Sequence, residues 1–204
     1  MTKIKIENIV TYAQLSDGLD IKMIAESSND FKYNPDEFQG LTLKLDDPKT
    51  AVLLLPNGKA ICTGAKNIKD AETSINKLIK KIGDIGIKLN KKFKMEIQNI
   101  IASFDLKKEL DLSSISIGLL LENVDYEPNQ FPGLIYKMKD IGASLLLFSS
   151  GKIVCSGTKN IEDATNAIEK MIEKLSSLGV WKKGGKYYAW NYSRKYCGIY
   201  IFCR

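Results

Sequence analysis

The segment GKAICTGAKNIKDA (residues 58–71) returns as GKIVCSGTKNIEDA (residues 151–164), with nine of fourteen positions identical at an offset of 93. At the same offset PDEFQGL (35–41) returns as PNQFPGL (128–134). Further upstream IENIV (6–10) matches IQNII (97–101) at an offset of 91, so two residues of length separate the blocks. Three ordered matches mean a tandem duplication of about 90 residues, and whatever fold one copy takes, the other takes too.

Each copy reads in the same order. A strand (Lys3–Tyr12; Met95–Asp105) leads into a short helical pattern around Leu15–Ile24 and Leu110–Leu119. Extended segments follow, separated by the turn signals Asp46-Asp47-Pro48, Pro56-Asn57-Gly58 and Ser149-Ser150-Gly151. Each copy closes on an amphipathic helix: Ala71, Ile75, Leu78, Ile79 and Ile82 keep helical spacing, as do Ala164, Ile168, Met171, Ile172 and Leu175. Asn67 and Asn160 precede these helices, each with an aspartate three residues on, in the manner of a loose capping box. Consecutive strands joined by short turns predict an antiparallel sheet, of which one long helix per copy covers a single face.

Charge and cysteine content narrow the function classes. The net charge of +6 is local: Lys182, Lys183, Lys186, Arg194, Lys195 and Arg204 face no acidic residue in 181–204, leaving 24 basic and 24 acidic residues in 1–180. Both arginines lie in that tail, so every cation of the body is a lysine, a point charge rather than a bidentate fork. Cys62 and Cys155 fall at matching places in apolar strands and read as small buried hydrophobes; with Cys197 and Cys203 they make no CxxC pair, and the chain has no histidine. A metal site is not expected, nor a cofactor, and most acid–base and triad chemistry lacks its usual agent. No apolar run approaches the ~20 residues that span a bilayer, and the N-terminus has no secretory pattern, so the expected location is cytoplasmic with no membrane partner.

The strands carry an anomaly. A sheet with one wet face should alternate apolar with polar residues. Ala51–Leu55 and Leu145–Phe148 are instead apolar on both faces, and Ile61-Cys62 and Val154-Cys155 continue the pattern. Helices account for one face. The other needs either a second core layer or a partner surface that is itself partly apolar.

Tyr33–Phe38, the run YEPNQFPGLIY (126–136) and the run FSSGKIVCSG (148–157) together resemble the signature of archaeal members of the TATA-binding protein family, over about residues 3–180 in two correctly spaced copies. The resemblance implies an α+β fold: a pseudo-two-fold saddle of two tandem repeats (1–92 and 93–180), with a ten-stranded curved antiparallel sheet and four helices on the convex face. It implies a general transcription factor, not an enzyme, that binds the minor groove of the TATA box, bends promoter DNA and nucleates initiation with transcription factor B and, indirectly, RNA polymerase. A different class remains open: a saddle domain that positions nucleic acid for a DNA repair or ribonuclease activity. A third reading makes the apolar face a protein-binding surface, including a homodimer of the free protein.

The family's DNA-facing positions carry over where the motifs match. Asn8 and Asn99 correspond to the paired central asparagines, whose amides suit the acceptor-only minor-groove edge of A·T pairs. Val10 and Ile101 share their faces two residues on. Thr63 and Ser156 match the hydroxyl positions, with Ile61 and Val154 two residues before them, and Leu53 and Leu146 extend the apolar floor. The kinking wedges correspond to Phe38 and Leu55 in the first repeat and to Phe131 and Phe148 in the second. Leu55, followed by Pro56, thus stands where the second repeat has Phe148-Ser149. Apolar wedges unstack base steps at a few kcal/mol per step, offset by the contact area that bending gains, and TATA-binding proteins are themselves the reference case for this.

Three lysine pairs, Lys44 and Lys137, Lys59 and Lys152, Lys66 and Lys159, match phosphate-approaching positions. Glu127 corresponds to a transcription factor B contact, although Asn129 stands where an acidic residue is usual. Residues 181–204 fall outside the resemblance: they are basic, hold eight of the eighteen aromatics, and carry Lys183-Gly184-Gly185-Lys186 as a hairpin turn signal. They read as a hairpin packed on the body, an altered reading frame, or an added nucleic-acid contact through stacking and charge.

Overall fold

Each repeat lays down its strands and helices in the same order. In a computed structural model describing residues 3–119 and 123–180, the first repeat runs β1 (Lys5–Gln14), α1 (Ile21–Ser27), β2 (Phe31–Asn34), β3 (Phe38–Asp46), β4 (Lys49–Leu54), β5 (Lys59–Ala65) and α2 (Ile68–Asp84). The second runs β6 (Met95–Asp105), α3 (Leu112–Gly118), β7 (Val124–Asp125), β8 (Gly133–Met138), β9 (Ala143–Phe148), β10 (Lys152–Thr158) and α4 (Ile161–Leu178). The basic tail, with its hairpin signal, lies outside the described residues.

The strands form one antiparallel sheet in the order β2-β3-β4-β5-β1-β6-β10-β9-β8-β7. That order is symmetric about the β1–β6 pair, where the two repeats join. Asn8 lies opposite Ile101, Ile9 opposite Ile100, and Val10 opposite Asn99. Ile9 and Ile100, 1% and 0% exposed, therefore form the hydrophobic hinge of the pseudo-two-fold axis. The sheet stays open, with β2 and β7 as its edges. The result is the α+β saddle of two tandem repeats with four helices.

Two cores lie side by side on the helical face. In the first, Ala71, Ile75, Leu78, Ile79 and Ile82 of α2 pack with Leu41, Leu43, Val52, Leu54, Ala60 and Cys62 of the strands. In the second, Ala164, Ile168, Met171, Ile172 and Leu175 of α4 pack with Leu134, Tyr136, Leu145, Leu147, Ile153 and Cys155. Full burial of each such aliphatic side chain stabilises by about 1.5–3 kcal/mol. Cys62 and Cys155 are buried free thiols, and the loss of solvation pushes both up to about 11. Among the described residues no group of acidic or cysteine side chains could hold a metal ion, and no helix is long and apolar enough to cross a membrane.

The structure refines local expectations. Leu15 and Leu110 belong to connections rather than to helices: each is buried, and its backbone N–H donates to Gly58 and Ser149 respectively, tying the connection to a strand turn. The short helices begin later, capped by Asp20, which accepts from Met23 N, and by Asp111, which accepts from Ser114 N. The first strand runs from Lys5 to Gln14, two residues beyond the Lys3–Tyr12 expectation at its end. Asn67 and Asn160 cap α2 and α4 by accepting from Asp70 N at 2.8 Å and Asp163 N at 2.7 Å. The aspartates complete no reciprocal capping box; each carboxylate instead accepts from the cap residue's own amide.

Adjacent residues at the centre test the two-faced sheet. Ile100→Ala should cost about 2–5 kcal/mol of unfolding free energy in urea titration, because its methyls leave a sealed cavity. Ile101→Ala, on the open face, should cost about 1 kcal/mol or less.

Candidate nucleic-acid interface

Period-two alternation sends every second strand residue away from the helices. On that face Leu53 lies opposite both Thr42 and Ile61, Ala51 opposite Thr63, Leu146 opposite both Ile135 and Val154, and Ser144 opposite Ser156. With the central Asn8, Val10, Asn99 and Ile101, all ten predicted floor residues share one surface. Each is half-buried except Thr63, which is exposed, whereas their chain neighbours Leu54, Cys62, Leu145, Leu147, Ile153 and Cys155 are sealed beneath the helices. No second core layer covers this face among the described residues. Val10, Leu53, Ile61, Ile101, Ile135, Leu146 and Val154 thus present an apolar band to solvent.

The two asparagines are held in one orientation. Gly64 N donates to Asn8 Oδ1 and Gly157 N donates to Asn99 Oδ1, each at 2.7 Å. Asn8 Nδ2 also donates to Thr63 Oγ1 at 3.1 Å. The glycines make this geometry available: with φ of +92° and +97° they sit at breaks in the β1–β5 and β10–β6 registers, where the backbone turns its N–H toward the amide. A side chain there would be strained by φ and crowded, its Cβ 3.0 Å from Lys49 O or 2.8 Å from Gly142 O. With Oδ1 engaged, Asn99 is left with its Nδ2–H₂ as donor and Asn8 with the one Nδ2 hydrogen not given to Thr63.

The ends of the face are aromatic and the margins cationic. Phe38 and Phe131 are exposed, with Leu55 and Phe148 half-buried beside them. The Phe131 and Phe148 rings meet edge-to-face with centroids 6.0 Å apart. Lys44 and Lys137 lie opposite Ala51 and Ser144, and so share the open face; Lys59 and Lys152 lie two residues before Ile61 and Val154. Lys66 and Lys159 follow β5 and β10 directly and are exposed. The Lys59 ammonium rests 4.0 Å from the centre of the Tyr12 ring, whose hydroxyl donates to Glu96 at 2.8 Å. That bond pushes the Tyr12 phenol above its usual range. Glu127 is exposed at the β7–β8 turn: its carbonyl accepts from the N–H of Gln130 and of Phe131, and its carboxylate from Gln130 Nε2 at 2.7 Å.

Sequence reasoning missed several residues on this face. Thr42 and Ile135 each precede a predicted lysine by two positions, and Ala51 and Ser144 lie across from the hydroxyls, so period two alone could have found all four. Glu7 had no such signal. It sits at the register shift between Ile6 and Asn8, where the alternation slips, and accepts from Ser103 Oγ at 2.7 Å and from Lys5 Nζ at 2.9 Å. The Ser103 hydroxyl and the Lys5 ammonium hold its carboxyl below the usual carboxylate range.

The arrangement has known counterparts. The family model "Transcription factor TFIID (or TATA-binding protein, TBP)" matches residues 3–85 and again 94–178. A TATA-box-binding protein from Archaeoglobus fulgidus is 42% identical over 178 residues, 87% of this chain and 97% of its own. One from Pyrococcus abyssi is 44% identical over 178 residues, 87% of this chain and 92% of its own. The solved structure "Methanococcus jannaschii TBP" superposes with a TM-score of 0.78 at 39% identity, covering 86% of this chain and 99% of that one.

The amide lock separates acceptor from donor. Asn99→Asp keeps the acceptor for Gly157 N and should stay within about 0.5 kcal/mol of the parent in chemical denaturation. Asn99→Ala removes it and should cost about 1 kcal/mol.

Proposed function

The chain belongs to the TATA-binding protein family, and from that premise we propose that it is a general transcription initiation factor, binding the TATA box through the open face of its sheet. The observation that carries this is the floor itself: an apolar band flanking two asparagine amides whose oxygens are held by backbone N–H groups, leaving amide hydrogens as the available donors. A·T pairs offer only acceptors in the minor groove, while G·C adds the guanine N2 amino donor. The remaining amide hydrogens of Asn8 and Asn99 pair with the first pattern and collide with the second. The apolar band (Val10, Leu53, Ile61, Ile101, Leu146, Val154) dries the groove, and the Thr63 and Ser156 hydroxyls reach its acceptors on either side.

Phe38, Leu55, Phe131 and Phe148 act as wedges at the two ends, unstacking base steps so that the duplex bends to follow the saddle. TATA-binding proteins are the reference example of this mode, in which flexible TA steps deform most cheaply. Lys44, Lys59, Lys66, Lys137, Lys152 and Lys159 neutralise phosphates along the margins. Six such contacts correspond to a slope of log K against log salt of about −5. Glu127, on the turn that carries Phe131, meets transcription factor B, which brings RNA polymerase to the bent promoter at the nucleoid. The activity is binding, not catalysis. Free of DNA, the same apolar face is where a homodimer would form.

The test compares a duplex of A·T pairs with TA steps and a G·C-rich duplex of equal length, by equilibrium binding and by energy transfer between dyes at the two DNA ends. The A·T duplex should bind at least about a hundredfold more tightly and bend. The double variant Asn8→Asp/Asn99→Asp should stay folded yet lose that preference. Equal affinity for both duplexes, or binding without bending, contradicts the proposal.

A further inference from the structure

We propose that the two ends of the saddle kink DNA unequally, and that Leu55 is the residue that weakens the first-repeat kink. The inference rests on the DNA-bending reading above and deepens it.

Both ends are built on the same shelf. A Cβ added to Gly40 would lie 2.5 Å from Phe38 Cε1 and 3.1 Å from Leu55 Cδ2; one added to Gly133 would lie 2.7 Å from Phe131 Cε1 and 3.2 Å from Phe148 Cε1. At each end, then, a glycine leaves room for one phenylalanine and a second apolar side chain to lean together over the strand edge. What differs is the second member.

In the second repeat Phe148 belongs to β9, paired with Gly133, and its ring braces Phe131 edge-on at an interplanar angle of 65°. In the first repeat β4 ends at Leu54, one residue short of Leu55, and Pro56 follows. Leu55 keeps the turn bonds to Lys59 O and from Gly58 N but presents an isobutyl group. Among the described residues Phe38 has no aromatic ring paired with it, and it is 46% exposed, against 37% for Phe131.

The chemistry of the two groups is unequal. A phenyl ring is a flat plate that enters between base pairs and stacks on the base it separates. An isobutyl group is thicker, branched and without a π face, so it pries at the groove edge and replaces none of the stacking it breaks. The second-repeat end therefore demands a step that unstacks readily, such as TA. The first-repeat end bends less and tolerates a stiffer step.

Two measurements test this, with Leu55→Phe and the reciprocal Phe148→Leu, both checked for unchanged thermal melting. In end-to-end energy transfer on a TATA duplex, Leu55→Phe should raise transfer above the parent and Phe148→Leu should lower it. In the second, the TA step at one end of the duplex is replaced by a stiff A-tract step. The parent should lose less than about threefold in affinity by seating its Leu55 end there, whereas Leu55→Phe should lose about tenfold because both of its ends then need a deformable step. Unchanged transfer in Leu55→Phe, or equal losses by parent and variant on the stiff-ended duplex, overturns the inference and leaves the DNA-bending reading intact. A parent protein that binds without bending overturns that reading, and this inference with it.

Discussion

One amphipathic helix per repeat dries one face of a five-stranded half-sheet, and everything else in this molecule follows from what is left on the other. α2 and α4 seal Leu54, Cys62, Leu147, Cys155 and their neighbours. Because side chains alternate across a strand, Leu53, Ile61, Leu146 and Val154 then have nowhere to go but the open face. An apolar band of that kind is costly in water, and large exposed apolar patches mark interaction surfaces. Antiparallel pairing of β1 with β6 joins two such bands into one continuous surface, with Asn8 and Asn99 side by side at its middle.

The polar groups of that surface are as constrained as the apolar ones. A free asparagine amide could present either its oxygen or its nitrogen to a ligand. Here the backbone N–H of Gly64 and of Gly157 takes the oxygen, so the surface speaks mainly as a donor. Both glycines exploit φ values that other residues reach only under strain. Sheet irregularity and amide polarity are thus linked: the same breaks in register turn a backbone N–H onto each amide oxygen. The symmetry is incomplete at the ends, where Phe148 has no aromatic counterpart and Leu55 takes its place.

Much of this was legible in the sequence. The duplication, the inward face of α2 and α4, the Asn67 and Asn160 caps and the sharing of one face by the floor residues all follow from spacing, because repeats and periods of 2 and 3.6 leave marks in a single chain. What escaped has physical reasons. The spacing of Leu15, Leu19 and Ile24 mimics a helix, but Leu15 is buried by a connection anchored to Gly58, which no local pattern records. Glu7 and Ser103 meet at a register slip, and a reading that assumes uniform alternation cannot place them. The amide lock depends on backbone donors, which carry no side-chain signature. The basic tail accounts for the net charge of +6 and lies outside the described residues.

The central claim is that the open face reads minor-groove acceptors, and inosine–cytosine pairs isolate that chemistry. Inosine lacks the guanine N2 amino group, so an I·C pair resembles A·T in the minor groove and G·C in the major groove. The direct measurement is equilibrium binding to three duplexes of one length, in which the TATA sequence is built from A·T pairs, from I·C pairs or from G·C pairs. The account predicts that I·C binds close to A·T and far more tightly than G·C. If I·C binds as weakly as G·C, the face does not read the minor groove and the account fails.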